Sequence, residues 1–222
     1  MRRRLLVWGA FDTGKPRVRL MLRAVETIDA EVHVVHRYPW AGIEDKSQLG
    51  ARGWLKVAGR FARAYPALVL AYLRAPRHDL VIVPYPGLID ILLLWPFARL
   101  RRARLVWDMF LSAYDTAVID RRLLRREGIA ARLLFRIERM AARAADLVLL
   151  DTTEHARYVA GLFALHPAKV RPVWVGVEEA TFARAADPPA PGPARVLFYG
   201  QFIPLHGLDV IIEAMALLQR HQ

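Results

Sequence analysis

Short runs that are apolar throughout alternate along this chain with segments whose apolar residues recur every three or four positions. The runs predict strands at Leu5–Phe11, Glu31–His36, Asp79–Pro84, Arg104–Phe110, Leu147–Asp151 and Val170–Val175. Helical spacing separates them at Pro16–Ile28, Trp54–Leu73, Leu88–Leu100, Gly128–Ala145 and Thr153–Phe163. A strand with no polar alternation must be covered on both faces, and strands separated by helices pair in parallel. The pattern therefore predicts an α/β fold, a doubly wound and mostly parallel Rossmann-like sheet. With 55% hydrophobic residues in 222, the chain can fill the core that such a sheet needs.

Residues 1–182 are expected to form this first domain. Residues 183–195, ARAADPPAPGPAR, hold four prolines, one glycine and no bulky apolar side chain, the composition of a linker. Residues 196–215 then read VLFYGQFIPLHGLDVIIEAM: a strand at Val196–Tyr199, a turn with two glycines, and a helix at Leu208–Gln219. One β-α unit cannot bury both its faces. Residues 196–222 are therefore expected to be the first step of a truncated second domain.

The chain has no cysteine, which excludes disulfides and thiolate metal sites and agrees with a reducing, cytoplasmic setting. The Met-Arg-Arg-Arg start is followed by too short an apolar run for a signal peptide. The longest apolar stretch, 80–98, is broken by Asp90 and three prolines, so no membrane span is expected. Seven histidines lie without metal-ligand spacing, and neither a metal nor a cofactor is inferred. Net charge is +12, almost all of the positive charge being arginine. Such a balance attracts anions. Aromatic residues are not interleaved with the basic clusters as base-stacking platforms would require, so nucleic acid is not the expected partner.

In an open parallel sheet, ligands sit beyond the carboxyl ends of the strands. After the first strand comes Asp12-Thr13-Gly14-Lys15, a turn into a helix, which suits a phosphate. After the fourth comes WDMFLSAYDTAVIDRR, where Asp108, Ser112, Asp115, Thr116 and Asp120 crowd together before Arg121. Carboxylates accept hydrogen bonds from hydroxyl-rich ligands and can take a proton from an attacking hydroxyl. Capping and turn formation are the alternative uses of the same residues. The helix over 54–73 sets Trp54, Val57, Phe61, Tyr65, Leu68 and Tyr72 on one side, with Arg52, Lys56, Arg60 and Arg63 opposite. That division fits a helix on an anionic membrane surface, or one packed on its sheet with a solvated basic face.

Tyr199-Gly200-Gln201, Leu205-His206-Gly207 and Ile212-Glu213-Ala214 together resemble the opening of the donor-binding domain in family 4 retaining glycosyltransferases, which have the GT-B fold. AADLVLLDTTEHARYV (144–159), VRPVWVGVEEATF (170–182) and WDMFLSAYDTAVIDRR (107–122) are similar to the segments upstream. The resemblance spans nearly the whole chain, most specifically 104–122 and 196–214. It implies transfer of a sugar from a nucleotide diphosphate sugar to a sugar or lipid-linked acceptor hydroxyl, without an essential metal, during synthesis of cell-surface polysaccharide or glycolipid.

By this resemblance the first domain holds the acceptor. Asp108 is the expected catalytic group, with Ser112, Asp115, Asp120 and Arg121 on the acceptor. Gly14, Lys15, Gln201 and His206 fall at the donor side. Gln201 and His206 stand where the family carries Arg and Lys, which weakens diphosphate binding by these two positions. The family's second carboxylate motif is not among these residues. The chain alone is thus expected to be inactive and to need a complementing donor-binding domain. A non-catalytic subunit that binds acceptor or docks on the inner face of a membrane is the alternative.

Overall fold

The computed structural model describes residues 3–39, 41–42, 51–178, 192, 196–198 and 206–220. Six strands, β1 (Arg3–Gly9), β2 (Ala30–His36), β3 (Leu80–Val83), β4 (Arg104–Phe110), β5 (Leu147–Leu150) and β6 (Val170–Pro172), form one sheet. Their order is β2-β1-β3-β4-β5-β6, and every pairing is parallel. The helices are α1 (Pro16–Glu26), α2 (Ala51–Arg74), α3 (Leu88–Leu100), α4 (Ile129–Ala144), α5 (Thr153–Phe163) and α6 (Leu208–Arg220). The α/β sheet expected from the apolar runs is therefore present. Among the described residues, no helix is long and apolar enough to cross a membrane.

Both faces of the central strands are buried, as their composition demands. Leu5, Val7, Ile82, Val106 and Leu149 pack with Val18 and Val25 of α1. The alternating residues Leu6 and Trp8 are fully buried as well. The Trp8 indole donates to the Leu68 carbonyl of α2 at 3.0 Å, so a large aromatic enters the core without orphaning its N–H. On α2 the buried residues are Val57, Leu68 and Tyr72, while Lys56, Arg63 and Arg74 are exposed. The helix is packed on its sheet by the expected stripe. The Trp54 and Arg52 side chains lie outside the described residues.

Two strands end two or more residues before their apolar runs do. The run Leu5–Phe11 stops pairing at Gly9 because the Ala10 N–H turns aside to the Asp90 carboxylate, 2.7 Å away. The run Val170–Val175 pairs only to Pro172 as a short edge strand. Val196–Phe198 carry no strand pairing, and Tyr199 lies outside the described residues, as does most of 183–195.

The chain divides into two compact units, one of 1–112 with 136–178 and one of 113–135 with 179–222. Residues 113–135, expected within the first domain, group with the second unit. In that unit Asp115–Asp120 form a π-helical turn closed by the Arg121 N–H on the Thr116 carbonyl, and Tyr114 packs edge-on against Phe135 at 5.2 Å. No residue of α6 is buried: Val210, Ile212, Leu217 and Leu218 are each more than half exposed.

The turn from β3 into α3 depends on Gly87. Its φ is +56°, and an added Cβ would lie 2.8 Å from the Pro84 carbonyl oxygen, the Trp107 Nε1 and a Val83 methyl. The same Trp107 nitrogen donates to the Pro86 carbonyl at 3.0 Å, so it cannot move aside freely. Gly87→Ala is expected to cost about 2 kcal/mol, combining left-handed backbone with overpacking. Urea denaturation measures it; an unchanged midpoint would contradict this reading of the turn.

Candidate functional site

From β1 the chain goes to β2 on one side and then crosses to β3 on the other. The loops leaving β1 and β3 therefore diverge at a topological switch point, where a doubly wound sheet opens a crevice. The first unit builds its candidate site along this carboxyl edge.

The β1–α1 loop is organised by Asp12, which is 9% exposed. Its Oδ1 accepts the Gly14 N–H at 2.9 Å and the Tyr38 hydroxyl at 2.9 Å, while the Lys15 N–H donates to the Asp12 carbonyl at 3.1 Å. Burial, and then the bond to Asp12, push the Tyr38 phenol above its ordinary range. An added Cβ on Gly14 would meet Asp12 Oδ1 at 2.9 Å, so glycine stands here to let the Asx turn close. The Gly14 and Lys15 amides are thus spent on the turn itself. What the loop presents to a phosphate is the exposed Lys15 ammonium. Arg19 braces the loop from below through the Gly14 carbonyl at 2.7 Å, and Glu178 grips Arg19 in turn at 2.6 and 2.9 Å. That guanidinium holds the Glu178 carboxyl below its usual range.

Beside this loop, between the end of β2 and α2, lies a hollow of about 320 Å³ whose charged lining is Arg37, Arg60 and Arg63. Arg60 donates to the Ala41 carbonyl at 2.7 Å and holds the wall in place. Arg37 and Arg63 are exposed. Among the described residues the hollow has no carboxylate in its lining, and it shares Tyr38 with the Asp12 turn.

Asp108 sits at the end of β4 with 0% exposure. Arg17 engages both its oxygens, Nε at 3.1 Å from each and Nη2 at 2.7 Å from Oδ1. A third Arg17 nitrogen donates to the Val173 carbonyl, and the guanidinium lies 5.3 Å over the Phe110 ring. Burial pushes the Asp108 carboxyl above its usual range, and the Arg17 guanidinium pulls it back. With no surface and both oxygens occupied, Asp108 does not offer a carboxylate to an acceptor; it positions Arg17 and the end of β4. Phe110 follows with φ of +59° inside a γ-turn closed by the Leu111 N–H on the Met109 carbonyl, and Tyr85 packs edge-on against it at 5.4 Å. Ser112 is also buried, its hydroxyl donating to Glu138 at 3.0 Å, so its place is structural rather than on an acceptor.

The remaining sequence-predicted residues belong to the second unit or lie outside the described residues. Asp115 and Asp120 begin and end the π-helical turn of the second unit, and Arg121 follows it, exposed. His206 lies in the same unit with its ring 6.1 Å from that of Phe198, and Gln201 lies outside the described residues. The structure thus gathers Gly14, Lys15, Asp108 and Ser112 along one sheet edge.

That edge also carries groups the sequence reading did not single out. Asp151 closes β5, and its Oδ1 lies 2.8 Å from His155 Nδ1 in the first turn of α5, which Thr152 caps at 3.2 Å. A neutral imidazole that donates its Nδ1–H to this carboxylate presents Nε2 as an acceptor. Asp90, inside the apolar run LIDILLL, is the buried anchor of the β1 loop. A lone carboxylate in such a run is a readable signal. Nothing local marks Arg17. Among the described residues, no three His, Asp or Glu side chains gather as metal ligands. No family model matches the sequence, and neither does any curated protein.

Proposed function

We propose that the first unit, 1–112 with 136–178, acts as the acceptor-holding part of a retaining glycosyltransferase. It would move a sugar from a nucleotide diphosphate sugar to an acceptor hydroxyl in the synthesis of a cell-surface polysaccharide or glycolipid. The observation that carries this reading is the cationic carboxyl edge at the switch point. There the Lys15 ammonium stands beside a hollow lined by Arg37, Arg60 and Arg63. A phosphate-bearing acceptor is the chemistry that such a hollow selects. The resemblance over 104–122 and 196–214 supplies the reaction class.

In this reading the acceptor oxygen bonds to the anomeric carbon as the bond to the donor diphosphate breaks. The nucleoside diphosphate leaves with the electron pair. His155, set by Asp151, is the base on this edge that can take the hydroxyl proton. Asp108 acts through Arg17. Of the four donor-side positions Gly14, Lys15, Gln201 and His206, only Lys15 carries a permanent charge. Donor affinity is therefore expected no tighter than about millimolar, roughly −4 kcal/mol.

Calorimetry with a short-chain isoprenyl monophosphate and a panel of nucleotide sugars tests this. The phosphate-bearing acceptor analogue is expected to bind at least tenfold more tightly than any donor, and Lys15→Ser with Arg63→Ser should abolish the difference. Micromolar donor binding with no acceptor binding would overturn the proposal. The second reading, a non-catalytic membrane-docking subunit, draws on Leu55, Leu70 and Leu73, exposed on α2 alongside Arg63 and Arg74. Salt-sensitive sedimentation with anionic but not neutral vesicles, without acceptor-analogue binding, would favour it.

A further inference from the structure

The opposite edge of the sheet carries a second cationic concavity. Arg4 stands near the start of β1; Arg77, His78 and Asp79 lead into β3; Arg101 and Arg102 lead into β4. Because β1, β3 and β4 are neighbours in the sheet, these three turns meet around a hollow of about 630 Å³. That volume is within the range of small-molecule sites.

The groups divide into a fixed wall and a free set. Arg101 donates to the Ala75 carbonyl at 3.0 Å and the Leu73 carbonyl at 2.6 Å, and lies 5.3 Å over the Tyr72 ring. It closes the end of α2 and cannot swing away. His78 places Nδ1 2.8 Å from the Pro76 carbonyl and Nε2 3.1 Å from the Tyr72 hydroxyl. A neutral ring donating to the carbonyl and accepting from the phenol satisfies both contacts. Asp79 ties the strand ends together: its N–H donates to the Arg4 carbonyl and its carbonyl accepts from the Arg104 N–H, each at 3.0 Å, while its carboxylate faces the Arg4 N–H at 3.4 Å.

The guanidiniums of Arg4, Arg77 and Arg102 are left. Among the described residues none of them has a carboxylate within ion-pair distance, although Glu31 is the register partner of Arg4 on β2. Arg102 also holds a left-handed backbone, φ +58°, just past the end of α3, where glycine or asparagine is the unstrained choice. Among the described residues, four guanidiniums line the hollow against one carboxylate, Asp79, which faces main chain, and leave an excess of donors on a concave surface. Guanidinium forks match phosphate oxygens in geometry and in charge.

We propose that this amino-edge hollow binds a ligand carrying two or more phosphate groups, at a site separate from the carboxyl edge. Arg101 is its fixed point, and Arg4, Arg77 and Arg102 close on the anion. The source of the phosphates, a soluble polyphosphorylated compound or an anionic lipid headgroup, is a matter for the two arms of the test.

Tripolyphosphate is titrated calorimetrically into the whole protein at 50 and 200 mM salt. In parallel, the protein is sedimented with vesicles that contain cardiolipin, whose headgroup carries two phosphates, or only phosphatidylcholine. Arg77→Ser with Arg102→Ser removes two exposed side chains that make no hydrogen bond among the described residues, and circular dichroism checks that the fold is kept. Lys15→Ser with Arg63→Ser reports on the other edge. Tripolyphosphate binding that weakens at least tenfold in the Arg77/Arg102 variant, and not in the Lys15/Arg63 variant, identifies a soluble ligand. Loss of sedimentation with cardiolipin vesicles in the same variant alone identifies a headgroup. If that variant binds tripolyphosphate and vesicles as the wild type does, or if the wild type binds neither, the proposal fails.

Discussion

Replacing Arg17 with methionine is expected to destabilise the protein by about 3–5 kcal/mol at neutral pH, the usual cost of stranding one member of a buried ion pair. The loss follows from where the pair lies. Asp108 has no exposed surface, and Arg17 is its bidentate partner, so removing the guanidinium leaves a carboxylate that water cannot reach. The pair is not itself a large net gain. Burial outweighs the attraction of Arg17 and leaves the Asp108 carboxyl above its usual range. Ionised Asp108 therefore costs more in the fold than in water. Replacing both residues together, Arg17→Met with Asp108→Leu, should recover most of the loss. The single variant should also lose less near pH 4, where an unpaired Asp108 can take a proton. Urea denaturation of the two single variants and the double, at pH 4 and 8, gives the coupling. A wild-type midpoint for Arg17→Met at pH 8 would show that the contact contributes nothing.

Asp90→Asn is expected to stabilise the protein by about 3 kcal/mol at pH 8 and to change little at pH 4. Burial, 5% exposure in all, pushes the Asp90 carboxyl to about 6, and the Ala10 N–H only partly opposes this. A carboxyl raised in the folded state favours folding while protonated. Its contribution is complete below the ordinary value of 3.8 and is lost as pH rises through about 6. The asparagine carbonyl can keep the 2.7 Å bond from the Ala10 N–H while removing the charge. The Tyr65 phenol, raised by burial and by the Asp90 charge, should ionise more readily in the variant. A stability difference between the two proteins that stays flat from pH 4 to 8 would refute the assignment. The wild type tolerates this carboxylate because Asp90 fastens the first residue of the switch-point loop to α3.

Part of this protein was legible in the sequence because neighbours along the chain encode it. A strand that is apolar at both i and i+1 needs cover on two sides, and Leu6-Val7-Trp8, Val81-Ile82-Val83 and Leu105-Val106-Trp107 state that need unaided. The apolar stripe of α2 likewise named the residues that meet the sheet, with Val57, Leu68 and Tyr72 buried. Lys15 is legible as a turn residue because a β–α turn at a sheet edge is a local feature. The acidic crowd from Asp108 to Asp120 is equally local, but proximity along the chain does not state which of these carboxylates is buried. Asp108 turns inward, with no exposed surface and both oxygens on Arg17, while Asp115 and Asp120 belong to a π-helical turn of the second unit. Arg17 and Asp108 are 91 residues apart, and Ala10 and Asp90 are 80 apart. The amino-edge arginines come from three separate turns. Pairings of this kind exist only once parallel strands β1, β3 and β4 are laid side by side, because strand order, and not distance along the chain, decides which loop ends share an edge. Periodicity determined which residues are inside; the order of the sheet decided which charges meet there.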